Sequence, residues 1–282
     1  MKPGLLVLFS FCVSLIHTKV SSNEALTSTT VMSISHHQGK GLGYEQGYRS
    51  LKGLYSFSSS KDVISFFDIR GHQFNNGECA SNIGFGLRKA SAFSENIFGA
   101  NLYYDYRYAR KGAHFNQIGA GLEFLGSCFE ARLNVYLPLN RYKLLSQDLY
   151  NGYIGGYYIL ERRFKAPMKG ANFEVGFSLF HNKTTDLYLG AGPYYYLTRS
   201  LRHDYVLGGE CQINLRLFNY ISLECHASYD AKFKKRAEAS ITFNFPLKGD
   251  FSLENNEDRI SKAVHRHEMI VLDRINQYEW NY

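Results

Sequence analysis

The amino-acid sequence predicts an all-β fold: a transmembrane antiparallel β-barrel of about twelve strands, followed by a charged C-terminal segment that lies in the periplasm, forms an exterior appendage or enters the barrel. First, residues 97–139 contain three runs in which apolar and polar side chains alternate strictly, as on strands with one apolar face. Second, this period recurs along most of the chain, in segments near the roughly ten residues that a tilted strand needs to cross a bilayer. Third, 16% of the 282 residues are aromatic, and only five are proline, which suits long uninterrupted ladders.

The N-terminus carries an export signal. A basic start is followed by an apolar run at residues 4–16 and then by small residues, with cleavage expected near Ser22. This run is too short to span a bilayer as a helix, so residues 1–22 are predicted to be a signal peptide. An exported, alternating, aromatic-rich chain is typical of the bacterial outer membrane, and the multi-pass barrel is expected to contact outer-membrane lipid and the barrel assembly machinery.

The remaining chain divides into three parts. Residues 23–40 are rich in Ser, Thr and His and lack periodicity, which predicts a flexible N-terminal segment; residues 41–248 form the barrel and residues 249–282 the linker. Asn75-Asn76-Gly77 predicts a tight hairpin turn, and Pro193 predicts a bulge or strand end. The predicted strands are 43–57, 63–74, 79–88, three within 97–139, 153–163, one around 173–179, 187–197, 207–217, 221–230 and 237–245.

The sequence gives little indication of nucleic-acid binding, catalysis or metal binding. The basic residues behind the net charge of +7 are scattered, which argues against nucleic acid. No GxSxG occurs, His226 and Ser228 point inward on their strand, and no CxxC or His/Cys cluster suggests a metal, so neither enzyme activity nor a cofactor is expected. Two disulfides are possible among the four remaining cysteines, Cys79, Cys128, Cys211 and Cys225. For Cys211 and Cys225 the preferred interpretation is that they are small lipid-facing residues.

Charged residues on the polar faces are the candidate site. They either form a lumen that binds the terminal segment or selects ions, or pair with one another to satisfy the barrel wall. Arg259, Arg266 and His267 of the linker are expected to pair with lumen carboxylates, and Ile260, Ala263 and Val264 could form one helical stripe. The inward-facing charges are Asp68, Arg70, Asp105, Arg107, Glu123, Glu130 and Arg132, and the expected partners of the linker are Asp105, Glu123 and Glu130.

Several segments carry a family resemblance. FFDIRGHQFNNG (66–77), GANLYYDYR (99–107), FNQIGAGLEFLG (115–126) and RLNVYLPL (132–139) resemble the β-domain of inverse autotransporters, the intimin and invasin family. RISKAVHRHEMIVLD (259–273) is similar to the family's linker, with its pattern at Val264, Arg266, Ile270 and Leu272. The resemblance implies a twelve-stranded barrel with a periplasmic N-terminus, and a linker that re-enters the pore, partly helical and then extended, and leads to surface-exposed adhesin domains.

The sequence departs from that pattern after the linker. About ten residues follow Leu272, so no passenger is expected, and the short N-terminal tail leaves no room for a peptidoglycan-binding module. The resemblance implies a translocation or anchoring unit; the alternatives are a porin-like channel, or a protein whose loops adhere to a host surface. With a periplasmic N-terminus, the polar connection at residues 140–151 would follow the sixth predicted strand on the periplasmic side, where turns are usually short.

Overall fold

A computed structural model describes residues 28–60, 63–91, 96–109, 112–154, 156–182, 184–198, 204–218, 220–248 and 262–281. The predicted signal peptide lies outside these residues. The described strands are β1 (Ser28–Gly39), β2 (Tyr48–Ser60), β3 (Val63–Phe74), β4 (Cys79–Ala90), β5 (Ile97–Tyr108), β6 (His114–Leu125), β7 (Phe129–Pro138), β8 (Lys143–Ile154), β9 (Tyr157–Pro167), β10 (Lys169–His181), β11 (Thr185–Thr198), β12 (Asp204–Leu217), β13 (Ile221–Asp230), β14 (Lys234–Lys248) and β15 (Leu272–Asn281).

Twelve of the described strands form a closed antiparallel barrel, in the order β1-β14-β13-β12-β11-β10-β7-β6-β5-β4-β3-β2. Pairing of β1 with β14, for example Ile34 with Phe243, joins the two ends of the sheet. Closure removes the free strand edges that an open sheet would expose to lipid. The other three strands, in the order β15-β9-β8, form a separate sheet that we call the outer sheet.

The first barrel strand corrects the prediction for residues 23–40, which is wrong from Ser28 onward. Residues 28–39 are strand β1, paired with β2 on one side and with β14 on the other. The sequence signal is weak because both faces of this strand carry polar groups: Ser35 and His37 are buried inside, while His36 and Gln38 face outward beside Ile34. The barrel therefore begins at Ser28 rather than at residue 41.

The number of barrel strands was predicted correctly because two errors compensate. The predicted strand at residues 153–163 is absent from the barrel and instead contributes to β8 and β9 of the outer sheet. The extra strand β1 also moves the long connection between β7 and β10 to the end of the barrel opposite Ser28. This placement removes the conflict of a long connection on the periplasmic side.

The alternation predicted for the three runs at residues 97–139 is confirmed. On β5 every second residue from Ile97 is buried and the intervening residues are exposed. Leu102 and Tyr104 thus face outward, whereas Tyr103 and Asp105 face the interior. An apolar outer face and a polar interior are the arrangement that a lipid-embedded barrel requires.

The structure bears on three local features of the sequence: the predicted turn at residues 75–77, Pro193 and the four cysteines. The turn at Asn75-Asn76-Gly77 is confirmed, since Gly77 has a φ of 83° and donates a hydrogen bond to the Phe74 carbonyl at 3.0 Å. No bulge accompanies Pro193, which lies within β11 opposite Gly209 in an unshifted ladder. The cysteines are exposed and unbridged, and Cys211 lies opposite Ala227 rather than Cys225; they are Cys79, Cys128, Cys211 and Cys225.

Within the part of the chain that the structure describes, no helix is long and apolar enough to cross a membrane.

Candidate functional site: a plug in the barrel pore

Residues 262–271, which we call the plug, run lengthwise through the barrel interior. At one end, Lys262 Nζ lies 2.9 Å from Glu130 at the start of β7. At the other end, Asp273 accepts hydrogen bonds from Thr198 at the end of β11 and from Lys232 in the β13–β14 turn, at 3.0 and 2.6 Å. An extended chain rises about 3.3 Å per residue, so the stretch from Lys262 to Asp273 can span roughly 36 Å, more than the roughly 30 Å of the hydrocarbon core.

Arg266 and Asp105 form the central contact. Both guanidinium Nη atoms donate to the carboxylate at 2.7 Å, and the side chains are 2% and 1% exposed. The Arg266 guanidinium also lies over the rings of Tyr103 and Tyr136, 4.2 and 5.4 Å from the ring centroids. A bidentate, buried pair is strongly directional, because guanidinium and carboxylate match only in one orientation. This pair therefore sets the position of the plug along the pore.

Gly119 allows Arg266 to approach the wall. A Cβ at this position would overlap Nη2 of the Arg266 guanidinium. Glycine is needed here because Arg266 approaches the strand closely, and not because of the backbone conformation, since Gly119 has no positive φ.

Glu268 forms a second charged contact on the same side. It accepts hydrogen bonds from Arg70 and Lys52, at 2.5 and 2.6 Å. Arg70 is itself held by Asp68, whose two oxygens it contacts through Nε and Nη2. Two positive charges, Arg70 and Lys52, thus compensate the negative charges of Glu268 and Asp68.

Side chains of the wall also satisfy the plug backbone. An extended segment outside a sheet has no ladder partners, so its buried carbonyl groups need other donors. Five such carbonyl groups accept hydrogen bonds from wall side chains. The contacts are Arg88 to Lys262 O at 2.6 Å, Arg70 to Val264 O at 2.8 Å, Asn134 to His265 O at 3.4 Å, Asn82 to Glu268 O at 2.8 Å and Arg107 to Ile270 O at 2.7 Å.

These donors also explain why the described plug is not helical. Residues 262–271 make no helical turn, although the sequence suggested a helical stripe through Ala263 and Val264. Ile260, the third member of that stripe, lies outside the described residues. Wall side chains take the carbonyl groups that a helix would use internally.

The seven predicted lumen charges are all buried, and they divide between two roles. Some bind the plug, as Asp105 does. Others pair along the wall, as Glu123 does with Arg88 and Glu130 with Arg132. Glu130 does both, because it also binds Lys262. The buried set is Asp68, Arg70, Asp105, Arg107, Glu123, Glu130 and Arg132.

The expected partners of the linker are met in part. Arg266 contacts Asp105 as expected, but His267 contacts Glu210 at 2.7 Å rather than Glu123 or Glu130. Arg259 lies outside the described residues. Of the linker pattern, Val264, Arg266, Ile270 and Leu272 are all buried.

Sequence reasoning missed several residues of the site. Lys262 and Glu268 belong to the plug, and Glu174 and Glu210 belong to the wall. Glu210 was placed on the correct face by alternation, but nothing in its spacing indicates a plug partner. The number of acidic groups on inward faces was the available signal, because each one buried in the lumen needs a cation.

The plug leaves the barrel through an apolar collar. Ile270 and Leu272 pack with Ala109, Ala113 and Phe115 in one cluster. A second cluster brings Met269 against the side chains of β2, β3 and β4, and a third brings Val271 against Leu42 and Met168. These buried apolar side chains surround the chain between its charged contacts inside the lumen and the contact of Asp273 with Lys232.

Beyond the collar the chain continues as β15, which pairs antiparallel with β9 from Leu272–Pro167 to Asn281–Tyr158. Glu78, in the β3–β4 turn, ties the outer sheet to the barrel by accepting from Arg107 at 3.2 Å and Lys165 at 3.0 Å. Burial opposes ionisation of Glu78, but Arg107 and Lys165 outweigh it and lower the pKa of this carboxyl.

The plug does not fill the pore evenly. The lumen-facing residues of β3–β7, which we call the plug-bound wall, are mostly buried. Those of β12–β14 and β1, which we call the cavity wall, are mostly half-buried and border a cavity of about 280 Å³. Cavity-lining residues of this wall include Ser33, Asn214, Ser222, Glu224, Thr242 and Asn244.

Comparison with known families decides the identity of the barrel. The family model described as the inverse autotransporter β-domain matches residues 11–161, more than half of the chain. The chain belongs to this family. Inverse autotransporter β-domains are translocation and anchoring barrels of the bacterial outer membrane, and this membrane is where the chain resides.

Solved structures support the fold. A membrane protein from work on in-meso crystallisation aligns with a TM-score of 0.63 at 16% identity, over 88% of this chain and 100% of that one. An outer membrane channel from Pseudomonas putida F1 aligns at 0.45 and 10% identity, over 80% and 100%. The translocator domain of autotransporter NalP from Neisseria meningitidis aligns at 0.29 and 10% identity, over 85% and 93%. The last two likenesses are too loose to carry an argument. No curated protein matches the chain.

Proposed function

We propose that this inverse autotransporter barrel anchors the chain in the outer membrane, threads its own C-terminal segment through the pore, and closes the pore with that segment. The continuous series of plug contacts from Lys262 at one end to Asp273 at the other carries the proposal. Insertion by the barrel assembly machinery, and release of the chain from a signal peptide, belong to the same proposal.

The orientation of the barrel supports a surface location for the outer sheet. If Ser28 faces the periplasm, as the family resemblance implies, the β7–β10 connection and β15 lie at the opposite, extracellular end. Surface loops of outer-membrane barrels are the longer ones. β15 is then the segment presented outside the cell.

The porin-like alternative requires an open lumen. In the described residues the plug occupies the lumen with buried charges and an apolar collar. No observation favours conduction in this state.

Conductance tests closure directly. The full chain and a chain ending at Lys248 are compared in planar bilayers. We expect the full chain to be silent and the truncated chain to conduct. Equal conductance of the two would overturn closure and favour the porin-like function.

Surface labelling tests the threading. An epitope added after Tyr282 should bind antibody on intact cells. A matched epitope at Ser127, in the β6–β7 turn at the other end of the barrel, should bind only after the outer membrane is permeabilised. The reverse pattern would mean that the barrel is inserted the other way and that the C-terminal segment stays in the periplasm.

A further inference from the structure

A group of metal-ligating side chains joins the plug to the cavity wall. Glu210 of β12, His226 of β13 and His267 of the plug each offer one ligand atom, and these atoms all lie within 4.8 Å of one another. We propose that they bind one divalent transition-metal ion, for which Zn²⁺ is the natural probe, and that the ion bridges plug and barrel. The proposal goes beyond threading and closure, but rests on the plug lying in the pore.

The ligand geometry fits such an ion. His226 Nε2 and His267 Nε2 approach the same oxygen, Oε2 of Glu210, at 3.2 and 2.7 Å. Zn–N and Zn–O bonds of about 2.0–2.2 Å at tetrahedral angles separate ligand atoms by about 3.3 Å. The His226–Glu210 separation is therefore already close to this value, the His267–Glu210 separation needs to lengthen by about 0.6 Å, and the two imidazole nitrogens lie within 4.8 Å of each other. Two imidazoles and one carboxylate are an established ligand set for zinc and for iron(II).

The outer contacts of the ligands hold them in place. The other ring nitrogen of His267, Nδ1, lies 2.6 Å from the Tyr196 hydroxyl. If Nδ1 carries the proton and donates to this hydroxyl, Nε2 keeps its lone pair for the metal. Glu210 Oε1 accepts from Asn172 at 2.9 Å, which leaves Oε2 free to bind the ion.

The His267 ring packs beside two tyrosine rings that also contact each other. It stacks on Tyr136 and Tyr196, with ring centroids 5.8 and 6.0 Å away. The Tyr136 hydroxyl also accepts the His267 backbone N–H at 2.8 Å. A ligand held in this way loses little freedom when a metal binds.

The surroundings provide access and charge. Glu210, His226 and His267 all line the 280 Å³ cavity, which has room for water in the fourth coordination position. Glu224 and Glu238 line the same cavity and favour a cation there. Since one ligand comes from the plug and two from the wall, binding links the two parts.

The site is tested on the chain purified from outer membranes in detergent. Zn²⁺ is titrated in competition with a chromophoric chelator, and bound metal is counted by elemental analysis. We expect one Zn²⁺ per chain. His226→Gln, His267→Gln and Glu210→Gln should each raise Kd at least tenfold, and the double variant H226Q/H267Q should lose binding. Gln keeps a polar side chain of similar reach, and heat-modifiable gel mobility checks that each variant is folded.

His265→Gln is the matched control. It is also a plug histidine on this cavity, but it faces Glu174 and Glu224 at 3.4 and 3.6 Å. Its Kd should change less than twofold. Fewer than 0.1 Zn²⁺ bound per chain, or an unchanged Kd in both H226Q and H267Q, would overturn the proposed site.

Bridging is tested separately from binding. Co²⁺ in place of Zn²⁺ should give the intense visible bands of a tetrahedral site in the native chain and lose them in H267Q. Unchanged Co²⁺ bands and an unchanged Kd in the full-length H267Q chain would show that the plug provides no ligand, whatever the conductance tests of closure show.

Discussion

The two sides of the pore hold the plug in different ways. The plug-bound wall contacts it through buried, charge-assisted hydrogen bonds, with Arg266–Asp105 and Arg70–Glu268 at the centre. The plug contacts the cavity wall through two of its own histidines, His265 to Glu224 and His267 to Glu210, and a cavity remains beside it. One side therefore fixes the position of the plug, whereas the other leaves room for water, ions and adjustment.

The two walls differ because breaking a contact costs more free energy on the plug-bound wall than on the cavity wall. A buried charge that loses its partner inside a protein is strongly destabilising, whereas a half-buried group can be rehydrated in place. Substitutions on the plug-bound wall should therefore open the pore more than substitutions on the cavity wall. The ratio of open to closed pores in bilayer recordings measures this effect, and each tenfold change corresponds to about 1.4 kcal/mol.

The largest effect is expected from Arg266→Met. The closed state would then bury the Asp105 charge without its cation, at a cost of about 3–5 kcal/mol. The open-to-closed ratio should rise by at least about a hundredfold. The double variant R266M/D105N, which removes both charges, should recover most of the loss. An additive double variant would show that the two side chains do not interact.

A smaller effect is expected from Gly119→Ala, which adds one methyl group where Arg266 lies against β6. Overpacking of this kind costs about 1–3 kcal/mol, so the open-to-closed ratio should rise about tenfold. Gly71→Ala is the control, because a Cβ there meets nothing within 4 Å. Equal open-to-closed ratios in the two variants would mean that Arg266 moves away from the added methyl group without weakening the closed state.

A pH dependence is expected where the plug-bound wall meets the outer sheet. The pKa of Glu78 is lowered in the folded state, so its contacts stabilise the fold fully above about pH 4.5 and lose this contribution as the pH falls through the lower folded value. The thermal midpoint of Glu78→Gln should lie below that of the native chain at pH 6, and the gap should narrow below pH 4.5. A gap that is constant from pH 6 to 3 would contradict the role of Glu78 ionisation.

The smallest effect is expected on the cavity wall. Thr242 of β14 lines the cavity, and Thr242→Val keeps its shape while removing the hydroxyl. The free energy of closure should change by less than about 0.5 kcal/mol, as for substitutions away from buried contacts. A change as large as that of Gly119→Ala would show that the two walls hold the plug equally.

The sequence by itself determined the barrel wall. Strict alternation in β5, β6 and β7 revealed which side chains face inward, because a strand places successive residues on opposite faces. It also indicated Asp105 as a lumen anion, because local periodicity and charge are displayed directly by a single chain. The assignment of Arg266 as a plug cation depended in addition on the resemblance of residues 259–273 to the family's linker.

Tertiary structure alone decided the rest. Whether residues 28–39 form a strand depends on β2 and β14, since β1 has polar groups on both faces. Whether residues 153–163 lie in the barrel depends on β15, which pairs with β9 from about 110 residues further along the chain. The pairing of His267 with Glu210, rather than with Glu123 or Glu130, depends on where the extended plug passes through the lumen. Such contacts join segments far apart in the chain, and local sequence does not encode which of several equivalent carboxylates lies nearest.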